Sequence, residues 1–333
     1  MTALAPAGGS ATVIPFVYAA APSMNWPASR RPDTLQDVFK TCFKTCRKVR
    51  APRDEIGRRR REVMMPGVTE PETGLVFYEL SHEWGHGVPT LPGYEEVKLY
   101  RSSTHAKNGV MATRIRMVMH SGTHVNAPLH LIQRAPGIGD IALERFFGSG
   151  VVLSIPKKQW EFVTVADLEA ATPTVEADDI VVIVTGWHRR YSDSIEYFGH
   201  SPGLAREAAE WLVVKGVKLV AVDTPQVDHP LATSLGLQRN GPQMKRLPKA
   251  YQSATGRDPK TDFPEWNPAH RALLSAGIPT IENVGGEVDA LIGKRCTFHA
   301  YPWNWPEGDA CGVRFVALLD PAGTYRLEPG TAS

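Results

Sequence analysis

From Leu75 onward the chain consists of short runs of β-branched and other apolar residues cut apart by Gly and Pro, and this texture constrains the fold more than any other feature. Leu75–Leu80, Ile115–Met119, Gly150–Ile155, Ile180–Thr185, Leu219–Val222 and Arg314–Leu319 are too short for stable helices and have the composition of strands. Helical spacing is rarer. Leu204, Ala208, Trp211 and Leu212 mark one face of a helix ending at Lys215, with Gly216 as its stop. A second helix is expected over about Pro268 to Ala276, with Asn267 as N-cap and Gly277 as stop. Strands and helices mixed without regular alternation predict an α/β fold of the mixed α+β kind, one domain with a mixed β-sheet or barrel core and flanking helices, and not a doubly wound sheet.

The first 70 residues have a different character. Residues 1–30 are rich in Ala, Pro and Ser and carry no hydrophobic periodicity. Arg30–Arg61 then holds twelve Lys or Arg against four Asp or Glu, a local charge of +8, so with a net charge of +2 the remainder sums to −6. Only over Asp33–Val49 do apolar residues recur at helical spacing. Two segments are therefore expected: a basic, partly disordered extension over residues 1–70 and the main domain over 71–333.

Several function classes drop out. The basic run lacks aromatic interleaving or a nucleic-acid motif, so it reads as a solvated arm, and a nucleic-acid partner is not expected. No apolar run approaches the eighteen residues of a membrane span. The apolar Val13–Ala21 has no basic stretch before it, so no signal peptide is expected. Four scattered cysteines do not form a disulfide framework, and a cytoplasmic setting is expected.

The chemistry concentrates in His120-Ser121-Gly122-Thr123-His124-Val125-Asn126-Ala127-Pro128-Leu129-His130, which holds three of the chain's eleven histidines. A helix would align His120 with His124, but Gly122, Thr123, Val125 and Pro128 oppose it, and Ser121 stands where a zincin protease has Glu. In an extended segment His120, Gly122, His124 and Asn126 point to one side. Gly122 then leaves a notch between two imidazoles, and Asn126 adds an oxygen, giving an N,N,O set suited to a divalent transition metal. Pro128 turns the chain and brings His130 toward the site. Spacing alone leaves open a loop whose histidines merely satisfy neighbouring backbone groups.

This segment resembles the cyclase-family signature His-x-Gly-Thr-His-x-Asp-x-Pro-x-His of bacterial kynurenine formamidases and isatin hydrolases, and keeps every fixed position except the Asp. Further matches follow in the family's order: Thr185-Gly186-Trp187, Ser201-Pro202-Gly203-Leu204, Val222-Asp223-Thr224-Pro225, His270 with Gly277-Ile278-Pro279, and Ile281-Glu282-Asn283. The resemblance implies a metal-dependent amidohydrolase. It implies that His120, His124 and position 126 hold the first metal, that Gln226 can add a ligand, that His130 is the acid/base, and that His270 and Glu282 help hold a second metal. Asn126 cannot bridge two cations as a carboxylate does, so one divalent ion per chain, Mn2+ or Zn2+, is expected.

The expected reaction is hydrolysis of a C–N bond in an amide, formamide or cyclic imide, with a cyclic ester as a close variant. A metal-binding protein with a decayed site is the competing class. Tyr78, His82, Trp84, His86 and Trp187 are expected to line the pocket of a small, flat aromatic or heterocyclic substrate. A homodimer or homotetramer is expected.

Overall fold

The computed structural model describes residues 67–233 and 242–330, apart from 326 and 329. The expectations for the basic extension, including the helix over Asp33–Val49, lie outside the described residues except at 67–70.

Fourteen strands follow in chain order among the described residues: β1 Val68–Thr69, β2 Val76–Glu79, β3 Lys98–Ser103, β4 Ala112–Arg116, β5 His124–Asn126, β6 Phe147–Ser154, β7 Phe162–Val163, β8 Ile180–Val184, β9 Gly203–Leu204, β10 Leu219–Val222, β11 Thr280–Glu282, β12 Arg295–His299, β13 Ala310–Gly312 and β14 Val316–Leu319. Ten of them form one mixed sheet in the order β1-β2-β14-β12-β6-β8-β10-β11-β5-β13. Its centre, β6-β8-β10-β11, is parallel, and both flanks are antiparallel. Two short pairs, β3-β4 and β7-β9, stand apart from it.

The central strands read as unbroken apolar runs because both of their faces are covered. Alternate side chains then go to two different cores. Val152, Ile180, Val182, Leu219, Ala221 and Ile281 share one core with Phe298 and Phe315. Val151, Leu153, Val181, Ile183, Val220 and Val222 pack in the other against Ala208, Ala209 and Leu212 of the helix Arg206–Lys215 and Ala269 and Leu273 of the helix Pro268–Ser275. Each fully buried Val, Leu or Ile contributes about 1.5–3 kcal/mol. The first core also takes Tyr78 from β2 near one end of the sheet and Val125 from β5 near the other. A flat sheet cannot bring those strands together, so the sheet curls into a half-barrel.

The mixed α+β class, the strands at β2, β6, β8, β10 and β14 and both helices agree with the sequence reading, and Gly216 caps the first helix at φ +72°. Three local expectations are corrected. The strand expected at Ile115–Met119 ends at Arg116, in the separate β3-β4 pair. The extended segment expected from His120 is a strand only over His124–Asn126, because Gly122 takes φ +68° and turns the chain. Asn267 makes no side-chain cap. The helix end is capped from a distance by the Asp228 carboxylate, which accepts from the N–H groups of Ala269 (2.8 Å) and His270 (3.0 Å).

Candidate metal centre

Strand register builds the centre. β5 lies between β11 and β13, with His124 opposite Glu282 and Gly312, and Asn126 opposite Thr280 and Ala310. Opposed residues of antiparallel strands share a face, so His124, Asn126, Thr280 and Glu282 point the same way while Val125 enters the apolar core. The carboxyl end of β10 leads into Asp223–Gln226, where ligands of parallel sheets gather. Asp223 ties this loop to the end of β8 by accepting from Thr185 N (2.9 Å), Thr185 Oγ1 (2.6 Å) and Gly186 N (2.8 Å). The short 3-10 helix Pro128–His130 turns His130 toward His120, at 4.2 Å between ring centroids.

A cavity of about 280 Å³ results, lined on its polar side by His120, His124, His130, Gln226, His270 and Glu282. Leu91, Tyr94, Leu131 and Trp266 line its apolar side. His120 and His124 meet edge to face at 5.2 Å. Among the described residues His120, His130 and Asp309 form a group whose ligand atoms, all within 4.8 Å of one another, are close enough to share a cation. Asp309 carried no signal in the sequence, since it lies 189 residues from His120 in a Gly-Asp pair that reads as a turn.

The deeper half is organised around Glu282. Its Oε1 accepts from Val227 N at 2.9 Å and lies 3.8 Å from His270 Nδ1, and its Oε2 lies 3.2 Å from His124 Nε2. Burial opposes ionisation of this carboxyl, but the facing imidazoles of His124 and His270 override it and hold the group well below the usual carboxylate range. Burial pushes His270 down to about 3, against the pull of Glu282. His124 Nδ1 lies 2.9 Å from the Gly122 carbonyl, which can only accept, so Nδ1 carries a proton and Nε2 is the nitrogen turned toward Glu282. That nitrogen and Asn126 Oδ1 are buried without hydrogen-bond partners among the described residues. Asn126 Nδ2 approaches Thr280 Oγ1 (3.3 Å), and the same hydroxyl engages His270 Nε2 at 2.7 Å.

The outer half is satisfied from within. His120 Nε2 donates to Asp309 Oδ2 at 2.9 Å, and His130 Nδ1 lies 3.9 Å from the same oxygen. The His120 bond and the His130 imidazole hold the Asp309 carboxyl well below its ordinary range. Burial lowers His120 against the pull of that carboxylate.

The residues expected to line a substrate pocket are placed elsewhere. Tyr78 belongs to the first apolar core, and Trp187 is buried in a separate aromatic cluster with Nε1 donating to Tyr197 O at 2.9 Å. His82 stacks on Tyr191 at 3.6 Å. Together with Trp84, it lines a different cavity of about 220 Å³. Trp84 also covers Gly122, whose missing Cβ would lie 2.9 Å from Trp84 Cδ1, so the notch expected at Gly122 faces an indole. His86 is exposed. Large aromatics fill cores more often than they line sites, and here that tendency prevails.

Similarity to known proteins follows the same residues. The cyclase family profile matches residues 78–229. The kynurenine formamidase of Erythrobacter litoralis is 31% identical over 152 residues, which cover 45% of this chain and 67% of that protein. The chain belongs to the cyclase family. A second relative, the kynurenine formamidase of Bacillus cytotoxicus, is 25% identical over 154 residues, covering 45% and 69% of the two chains. Among solved structures, an isatin hydrolase bound to the product analogue thioisatinate superposes with a TM-score of 0.59 at 20% identity, covering 74% of this chain and 92% of that one. Isatin hydrolase A from Labrenzia aggregata gives 0.58 at 20% identity, covering 73% and 93%. At that identity the likeness shows the cyclase fold.

Proposed function

We propose that the cavity holds one divalent cation, Mn2+ or Zn2+, and that the chain is a hydrolase opening a C–N bond in an amide, formamide or cyclic imide. The observation that carries this reading is the pair of buried polar atoms without a hydrogen-bond partner, His124 Nε2 and Asn126 Oδ1, beside the Glu282 carboxylate. Leaving such a group unpaired costs about 1–3 kcal/mol, and a cation relieves both at once. The donors are nitrogen and oxygen atoms of the kind that Zn2+ and Mn2+ take. His120 fits as a third ligand. Its Nε2–H is held by Asp309, leaving Nδ1 as the lone-pair nitrogen, the arrangement in which a carboxylate orients a ligating histidine. Gln226 lines the same cavity and is available as a further ligand. A second ion between His270 and Glu282 is disfavoured by the neutral Asn126, which brings no bridging carboxylate to the pair.

A bound divalent cation supplies Lewis acidity, polarising the substrate carbonyl and bringing the pKa of water toward about 7. His130 sits at the rim, half-buried, with Nδ1 turned to Asp309, which leaves Nε2 for proton transfer. It takes the proton from the attacking water and returns it to the departing nitrogen, a shuttle worth about 10² to 10⁴ in rate. Leu91, Tyr94, Leu131 and Trp266 give the cavity a wall suited to a flat aromatic or heterocyclic substrate. The relatives' names, kynurenine formamidase and isatin hydrolase, point to the same bond class. We also propose a cytoplasmic homodimer or homotetramer; light scattering tests the oligomer and cell fractionation the compartment.

The decisive experiment pairs elemental analysis with turnover on aryl formamides, cyclic imides, isatin-type lactams and lactones. One firmly held transition metal per chain and C–N hydrolysis are expected. Metal-loaded protein that opens only lactones would overturn the bond class, and protein that holds no metal would overturn the centre.

A further inference from the structure

Asn283 follows Glu282 in the chain and is buried with φ +59°, a left-handed conformation that asparagine tolerates better than most residues. Each of its polar groups is spoken for. Its N–H donates to Thr224 O at 3.0 Å, and its carbonyl accepts from Thr123 Oγ1 at 2.6 Å. Side-chain Oδ1 accepts from Tyr197 OH at 2.7 Å, and Nδ2 donates to Gly122 O at 3.0 Å. That last carbonyl is also the one that receives His124 Nδ1–H. The Gly122 oxygen therefore has both lone pairs engaged, one by Asn283 and one by His124.

The arrangement matters because a neutral imidazole in water prefers its proton on Nε2, the nitrogen that here faces Glu282 Oε2 at 3.2 Å. His124 can present a lone pair on that side only while the Gly122 carbonyl stays aimed at Nδ1. Gly122 itself has φ +68° and no side chain to anchor it, so its peptide orientation is set from outside. Thr123 Oγ1 on the Asn283 carbonyl and Asn283 Nδ2 on the Gly122 carbonyl supply that anchor from two sides. Tyr197, fully buried, fixes which end of the Asn283 amide faces Gly122.

We propose that Asn283 is a positioning residue for the metal centre: through the Gly122 carbonyl it locks His124 in the Nδ1–H tautomer and thereby presents Nε2 to the cation. This rests on the reading of His124 as a ligand, and it adds the relay Tyr197–Asn283–Gly122 as the device that makes it one. Metal-ligating histidines generally depend on such a partner for their second nitrogen.

The test uses Asn283→Gly, which keeps the left-handed backbone accessible while removing the amide. Two readouts are needed: the tautomer of His124 from 15N shifts of the metal-free full-length chain, and the dissociation constant for Zn2+. Wild-type protein should show Nδ1 of His124 fully protonated, with no tautomer that lacks the Nδ1 proton. The variant should show both tautomers and bind Zn2+ about 10- to 100-fold more weakly. Tyr197→Phe, which removes only the hydroxyl, should move both readouts in the same direction by a smaller factor, and it carries the test if Asn283→Gly fails to fold. A folded variant that keeps the single tautomer and binds Zn2+ as wild type does would overturn the proposal. Unchanged Zn2+ affinity in His124→Ala would sink the metal reading instead, while the tautomer readout would still decide the relay.

Discussion

The deep and outer halves of the cavity use the same residue types and treat them in opposite ways. In the outer half His120, His130 and a 46% exposed Asp309 carboxylate answer one another, and water reaches the carboxylate as well. In the deep half His124, Asn126, His270 and Glu282 are buried, and two polar atoms stay unanswered. Unpaired buried polar atoms are uncommon, and two of them on the same face of β5 call for a partner. On the proposed reading, His124 and Asn126 in the deep half hold the cation with His120 at the boundary, and His130 and Asp309 at the rim handle the proton.

Substitutions that separate the halves test that division. His124→Ala should cost most: metal affinity and turnover should fall together, by about 10³-fold or more, because a ligand and the partner of a buried carboxylate vanish at once. Calorimetric Zn2+ titration alongside a turnover assay measures both, and loss of turnover with unaltered affinity would merge the two halves. His130→Ala should do the reverse, keeping the metal while turnover falls by about 10²- to 10⁴-fold. Near-normal turnover in that variant would remove His130 from proton transfer.

Asn126→Asp should restore a bridging anion, so a second cation should bind at least about tenfold more tightly, read as a change in metal stoichiometry at fixed pH. If stoichiometry does not change, position 126 is not a ligand. Asp309→Asn should have the smallest effect. The amide can still hold His120 Nε2–H through its oxygen, so metal affinity should stay within about threefold while turnover drops up to about tenfold through poorer orientation of His120 and His130. A larger drop in affinity than in turnover would make Asp309 a part of the cation site itself.

The sequence was readable where composition alone decides structure. The Val- and Ile-rich runs at β6, β8 and β10 can only be buried strands, and the spacing of Ala208 and Leu212 before Gly216 can only be a short capped helix. His120, His124, His130, Gln226, His270 and Glu282, which the family resemblance singled out, line one cavity. What stayed hidden depends on register and distance. Three-residue strands such as β5, β11 and β13 carry no periodicity, so neither the pairing of His124 with Glu282 nor the approach of Asp309 could be read beforehand. Tyr78 and Trp187 were misplaced because an aromatic that fills a core and one that walls a pocket look alike without a third dimension.

The pairing of β5 with β11 and β13 also acts as a built-in inspection of assembly. A slip by one residue would turn Val125 toward Glu282 and drive the imidazole of His124 into hydrocarbon, so the misaligned chain would lose its apolar seal and its chemistry in the same step. In-register pairing therefore seals the apolar core and sets His124, Asn126 and Glu282 on one face in the same step.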